Sequence, residues 1–308
     1  MAEISRIVAD DFDAIFEKFL KEDDHRVGQS DWRKLFTPVS SQLEDPEFGY
    51  KLTHNGQVVG MLGMVQSRRI TEKGPVTFCN LHSWFVDEQH RGNSLLLLRP
   101  ILKQKEWVIT DFTPTPAVVE ISLRLGFRLW SPQQFVLKGP CNQVPHAACQ
   151  LAWNADIDME RLHDFEKAIY RDHDDAVFQR LLITLADDHT LVILRRIEMG
   201  RPAYGAILYS SNPQVMLTTQ PEWQSTIQDK LQVKKLVGSK HQLGGEPIGG
   251  INLIREPQQL IRAKQFEVPR LDTLYSEVSL LGLSTLPSRK ALLFESMRKL
   301  NPLSWFKK

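Results

Sequence analysis

The sequence predicts a mixed α/β (α+β) fold: a central, mostly antiparallel sheet flanked by helices, followed by a second α/β lobe. Three observations carry this. Asn55-Gly56 lies between two apolar runs and marks an antiparallel hairpin, because both residues tolerate positive φ. A long apolar run ending at Val86 passes through Gln89-His90-Arg91-Gly92-Asn93-Ser94 into a leucine-rich run, which reads as strand, glycine turn and helix. Helix spacing followed by a hairpin then recurs after residue 150, with Tyr204-Gly205-Ala206-Ile207-Leu208 matching Val59-Gly60-Met61-Leu62 in type.

In chain order, Ile4 to Val8 reads as a short strand. Asp10 or Asp11 can cap a helix that puts Phe12, Ile15, Phe16 and Phe19 on one face, and Ser30-Asp31-Trp32 can start a second. Tyr50 to Thr53 and Val58 to Gln66 form the hairpin around Asn55-Gly56, and Val76 to Val86 is a third, long strand. Pro100 lies inside the helix opened by Gly92, so that helix is kinked or shorter than its apolar run. Trp107 to Asp111 is a strand. Thr115 caps the next helix with Pro116 at its first position, and Gly126 sits at a left-handed C-terminal position. Phe127 to Leu137 returns as a strand.

The second half gives helix spacing over Met159 to Tyr170 and a hairpin of Thr190 to Ile197 with Ala203 to Ser210 around Gly200-Arg201-Pro202. Trp223 to Leu236 reads as a helix; Ile251 to Ile254 and Thr273 to Leu280 read as strands. The Gly244-Gly245 and Gly249-Gly250 segment reads as a turn or a flexible, substrate-facing loop. Asp172-His173-Asp174-Asp175 has metal-binding residue types, but at consecutive positions on a helix end it reads as a solvated face. The expected organisation is a first domain over residues 1–140, a second α/β lobe over 150–287, and a basic amphipathic tail over 288–308. That tail interleaves cationic and aromatic residues, which suits weak contact with an anionic membrane surface.

A chain of 308 residues with net charge +1 carries no broad electrostatic footprint for nucleic acid. Its three cysteines form no metal-ligand spacing and no even disulfide set, which fits a reducing compartment. The expectation is a soluble, cytoplasmic protein whose partner is a small molecule.

The glycine turn carries the chemistry. A tight turn into a helix leaves backbone N–H groups unpaired at the positive end of the helix dipole, where a phosphate or pyrophosphate binds. The order of elements, with Gln89-x-x-Gly92-x-Ser94 after Val86-Asp87-Glu88 and Leu125-Gly126-Phe127 ending a later helix, resembles the GNAT acyltransferase family over roughly residues 1–138. The resemblance implies binding of acetyl-CoA or another acyl-CoA. Gln89, His90, Arg91, Gly92, Asn93 and Ser94 would hold the pyrophosphate, and Phe85-Val86 would pair with the pantetheine arm. The second half then reads as a degenerate lobe of the same kind, without a repeated phosphate loop.

Catalysis needs a base for the acceptor and an acid for the thiolate. Strand alternation puts Asn80, His82 and Trp84 on one face and Cys79 on the other, in the core. The resemblance implies a glutamate base on this strand; His82 is the titratable residue in its place. Many family members carry a tyrosine acid where this chain has Ser122, which cannot replace it. Asp111, Thr113 and Thr115 follow the fifth strand, and Asp111 has no obvious structural duty. Two functions follow: an acyl-CoA-dependent acyltransferase acting on an amine or hydroxyl of a small acceptor, or a non-catalytic GNAT-like binding or regulatory protein.

Overall fold

The computed structural model describes residues 2–71, 74–141, 143–144, 148–198, 202–253, 258–264, 271–284 and 286. The predicted tail (288–308) and Gly200-Arg201 lie outside them.

The first strands form as their patterns dictate. β1 (Ala2–Arg6) pairs with β2 (Gly49–His54), and β2 with β3 (Gln57–Thr71) across the turn where Asn55 and Gly56 both take positive φ. β4 (Gly74–Val86) runs back along β3. Between β1 and β2 the chain forms α1 (Phe12–Ile15), a π-helical turn (Phe16–Leu20) and α2 (Gln29–Arg33), which bury Phe12, Ile15, Phe16, Leu20 and Trp32. Asp11 does not cap α1 with its side chain; it ends the preceding 3-10 turn (Ala9–Asp11) and its carboxylate reaches back to accept the Val8 N–H at 2.9 Å.

α3 (Ser94–Leu102) follows a 3-10 turn over Glu88–Asn93 and tolerates Pro100 by ending two residues later. β5 (Val108–Asp111) then lies parallel to β4. α4 (Pro116–Arg124) is capped by the Thr115 hydroxyl, which accepts the Val118 N–H at 3.4 Å. At its other end Gly126 has φ +87° and Phe127 N–H closes on the Ser122 carbonyl.

The strand expected over Phe127–Leu137 is two strands. Pro132, which cannot donate to a ladder, separates β6 (Arg128–Trp130) from β7 (Gln134–Lys138). β7 then leaves the first sheet. It pairs with β12 (Lys235–Ser239) and β13 (Ile251–Asn252) of the second half. In return β14 (Gln259–Arg262) inserts between β5 and β6. The two sheets therefore have matching orders, β1-β2-β3-β4-β5-β14-β6 and β8-β9-β10-β11-β12-β7-β13 when both are written from the same edge. Here β8 is Cys149–Trp153, β9 Phe178–Leu185, β10 Asp188–Ile197 and β11 Tyr204–Ser210. Each lobe takes its sixth-placed strand from the other half, so a cut near residue 140 does not separate the sheets.

The second half departs from expectation at three other places. The helix expected over Trp223–Leu236 is α7 (Gln220–Leu231), which follows a separate α6 (Pro213–Thr218) and ends early where Gln232 turns left-handed at φ 52°, so that Lys235 and Leu236 belong to β12. The strand expected over Thr273–Leu280 contains α8 (Glu277–Leu281), begun by Ser276, whose hydroxyl accepts the Ser279 N–H at 3.4 Å. His173, next to α5 (Asp164–Asp172), is buried rather than solvated, its Nδ1 lying 2.8 Å from the Ile169 carbonyl.

One core joins the lobes. Ile15, Leu20, Trp32, Phe36 and Met61 pack with Ile169, Leu182, Ile193, Leu208 and Leu274. Arg69, on the long β3–β4 hairpin, makes a bidentate pair with Asp272 (2.6 and 2.8 Å) between the rings of Phe78 and Tyr275. Among the described residues, no helix is long and apolar enough to cross a membrane.

Candidate active site

β4 and β5 pair in parallel from Phe78↔Val108 to Leu81↔Asp111, and no further. Beyond that point β4 continues to Val86 held by β3 alone, while the chain after Asp111 turns away toward α4. The parting strands leave a wedge with one unpaired strand edge, over Ser83–Val86, on its β4 side. A bulge shapes that edge. Leu62 opposes Trp84 and Gly63 opposes His82, so Ser83 is the extra residue, with φ 51°.

The bulge corrects the predicted alternation. Asn80 and His82 stay on the side of α2 and α8, but Trp84 turns to the opposite face and packs with Cys79, Leu81, Leu97 and Leu98. Cys79 is core, as its alternation predicts. His82 is 4% exposed, its ring 6.4 Å from that of Phe36 and seated in the space left by Gly63, where a Cβ would lie 2.2 Å from it. Neither ring nitrogen has a hydrogen-bond partner. Burial pushes its pKa down to about 3, so it is neutral and poorly basic. That environment does not equip His82 to take a proton from an acceptor.

The vertex of the wedge holds a different set of groups. The Asn80 amide donates to Thr110 Oγ1 (3.2 Å) and its carbonyl oxygen accepts the Glu277 N–H (3.2 Å), which fixes the start of α8 over the parting strands. Thr113 N–H donates to Asp111 Oδ1 at 3.2 Å, and the Thr113 hydroxyl donates to Glu277 Oε1 at 2.9 Å. Glu277 Oε2 has no partner. Burial raises the Asp111 carboxyl to about 7, opposed by the Thr113 N–H. Burial first, and then the charge of Asp111, raises Glu277 to about 8. Two carboxyl groups poised near neutrality thus meet where the strands part. The sequence offers Asp111 as a candidate and gives Glu277 no role, placing it in the strand expected over Thr273–Leu280. The available signal was a lone acid inside the apolar run Leu274–Leu283.

The predicted phosphate loop is present as a strand-to-helix connection, wound tighter than expected. Gln89 to Asn93 lie in the 3-10 turn, where His90 N–H is spent on the Asp87 carbonyl (2.8 Å) and Ser94 N–H on that of Arg91. α3 itself starts without a side-chain cap, so its first amides face no protein acceptor from Asn93. A Cβ on Gly92 would meet nothing within 4 Å, which leaves open space above the turn. Phe85 stacks on Phe19 (6.0 Å), and Val86 packs on the α3 side. Lys18 anchors the end of β4 through Asp87 (2.7 Å) and the Val58 carbonyl (2.6 Å).

No protein-family model matches the chain, and no curated protein does. Solved structures do. A GCN5-related N-acetyltransferase from Anabaena variabilis has TM-score 0.55 at 12% identity, covering 85% of this chain and 72% of that one. A conserved protein of unknown function from Enterococcus faecalis, a probable N-acyltransferase, has TM-score 0.56 at 10% identity, covering 85% and 73%. A putative acetyltransferase from Pyrococcus horikoshii has TM-score 0.51 at 10% identity, covering 89% and 92%. The chain has the GNAT fold, in two lobes.

The two GNAT lobes differ at their clefts. In the second, β11 and β12 pair in parallel at Gly205↔Leu236 and Ala206↔Val237 and then part, as β4 and β5 do. There the wedge is filled by the chain itself. The Gln242 amide donates to the Leu208 carbonyl (2.6 Å) and its oxygen accepts the Ser239 N–H (2.8 Å), bridging the two strands. Gly244, at φ +76°, sits against the start of α6 so closely that a Cβ would lie 1.9 Å from the Pro213 carbonyl oxygen. The glycine segment expected to be a turn or a flexible, substrate-facing loop is in part a plug, whereas in the first lobe β4 keeps an unpaired edge over Ser83–Val86.

Proposed function

We propose that the protein transfers an acetyl or similar acyl group from acyl-CoA to an amine or hydroxyl of a small acceptor, at the wedge between β4 and β5. The observation that carries this is the Asp111–Glu277 pair at the vertex of parted strands in a GNAT lobe. The fit to acyl-CoA rests on the open space over Gly92, the uncapped start of α3 and the free edge of β4. Gln89, His90, Arg91, Gly92, Asn93 and Ser94 would border the pyrophosphate, and the edge at Phe85 and Val86 would hold the pantetheine arm. When bound, acyl-CoA supplies an activated thioester.

Asp111 takes the proton that the acceptor nitrogen or oxygen sheds as it bonds to the thioester carbon. Its pKa of about 7 suits that exchange at neutral pH. Glu277, still protonated there, positions Thr113 and offers Oε2 as a hydrogen-bonding group. As the carbon–sulfur bond breaks, the thiolate needs a proton. Glu277 is the protonated group nearest in chemistry, since Ser122 is buried in α4 and too weak an acid. The small acceptor and a cytoplasmic setting are supported by the net charge of +1 and the three free cysteines.

The test is release of free thiol from acetyl-CoA over a panel of amines, amino sugars and amino acids. Asp111→Asn should lower kcat/KM by roughly 10²–10⁴-fold with acetyl-CoA affinity retained. Undiminished turnover in that variant would overturn the assignment. The buried Ser122 favours one other function, a non-catalytic acyl-CoA-binding or regulatory protein. That function predicts binding with no thiol release for any acceptor.

A further inference from the structure

Away from the wedge, three groups of metal-ligating type converge on the second lobe. His163-x-x-Glu166 occupies the N-terminal end of α5, and His189 stands at the start of β10. Each offers one ligand atom, and the three atoms lie within 4.8 Å of one another. Glu166 is 1% exposed. Its Oε2 accepts the His163 N–H at 2.8 Å and lies 2.8 Å from His189 Nε2. The His163 and His189 rings face each other at 5.1 Å between centroids, 34° from parallel.

A local helix start accounts for part of this, since Glu166 satisfies one of the free N–H groups of α5. It does not account for the rest. The same buried carboxylate also lies against His189 Nε2 from another element, with a ligand atom of exposed His163 within 4.8 Å of both. Two imidazoles and one carboxylate, drawn from α5 and β10, thus bring three ligand atoms within reach of one divalent ion.

We propose that His163, Glu166 and His189 form a zinc site. Two nitrogens and one oxygen are a donor set that suits zinc and not magnesium or calcium, which take oxygen ligands. Ligand atoms around a tetrahedral ion with bonds of about 2.0–2.1 Å stand roughly 3.3 Å apart. The Glu166–His189 pair therefore opens by only about half an ångström, and exposed His163 swings in by rotating its side chain. The ion would clip the start of α5 to the β9–β10 hairpin. Because α5 also lines a cavity of about 940 Å³ between the lobes, with Arg69, Tyr209 and Tyr275 on its other walls, the clip would stiffen one wall of that space.

The test is calorimetric titration of the full chain with zinc chloride, and with magnesium chloride as control. One zinc per chain is expected, with a rise in Tm and no response to magnesium. His163→Ala, which alters an exposed side chain, and His189→Ala should each weaken zinc binding by more than about 100-fold, beyond the roughly 10–100-fold cost of losing a residue that only supports a ligand. A His163→Ala/His189→Ala protein that binds zinc with unchanged stoichiometry and affinity would overturn the site, as would a wild-type chain that does not bind zinc. If His189→Ala fails to fold, His163→Ala alone decides the matter.

Discussion

Replacing His82 with leucine should make the protein less sensitive to acid without removing the proposed acyl transfer. The ring is buried among Phe36 and Gly63 with both nitrogens unpartnered, and burial alone sets its low pKa. The unfolded chain takes up a proton as pH falls through the ordinary value of 6.5, whereas the folded chain declines it until about 3. The stability that depends on neutral His82 is therefore complete above 6.5 and is lost progressively as pH falls toward 3. At pH 4 the difference of about 2.5 pH units corresponds to about 3 kcal/mol. Urea unfolding at pH 7 and pH 4 measures it: wild type should lose about 3 kcal/mol more than His82→Leu over that interval. At pH 7 the variant should be close to neutral in stability, because leucine leaves no buried nitrogen unpaired. Equal acid losses in the two proteins would show that His82 is solvated or paired. A collapse of turnover in a stably folded His82→Leu would restore it as the base.

Three further perturbations test the rest of the structure. Glu277→Gln should unfold at higher urea than wild type at pH 9. The folded chain holds that proton up to about 8 while the unfolded chain releases it near 4.5, so the wild type loses stability as pH rises between those values and the variant does not. The same variant should change the pH–rate profile of thiol release. Arg69→Met should cost about 3–5 kcal/mol in urea unfolding, because it strands the buried Asp272 carboxylate between the lobes, and Asp272→Leu in the same protein should recover part of it. Gln242→Ala should cost about 1–3 kcal/mol by leaving the Leu208 carbonyl and Ser239 N–H without partners, with no change in acyl-CoA stoichiometry.

What could be read from the sequence was whatever local chemistry dictates. Asn55-Gly56 fixes a hairpin, Thr115-Pro116 starts a helix and Gly126 ends one, whatever the remainder of the chain does. The exchange of β7 and β14 was not legible, because each is a short apolar run that fits either sheet; its placement is decided by pairing with partners more than ninety residues away. The bulge at Ser83 was hidden for a related reason. Nothing in Leu81-His82-Ser83-Trp84 breaks the alternation, yet one left-handed residue moves Trp84 to the other face and leaves His82 in the core. At the site, Asp111 was legible as an acid at a strand end without a structural duty. Glu277 was not, because it reaches the wedge from a distant helix held by Asn80.

Calorimetric titration with acetyl-CoA tests most directly whether the first lobe alone holds the working site. Gly92→Val should keep the fold, since its Cβ would meet nothing within 4 Å, while filling the space above the turn. One acetyl-CoA per chain, lost in Gly92→Val and retained in Gln242→Ala, is the predicted result. No binding at millimolar concentrations, two sites per chain, or unchanged affinity in Gly92→Val would contradict it.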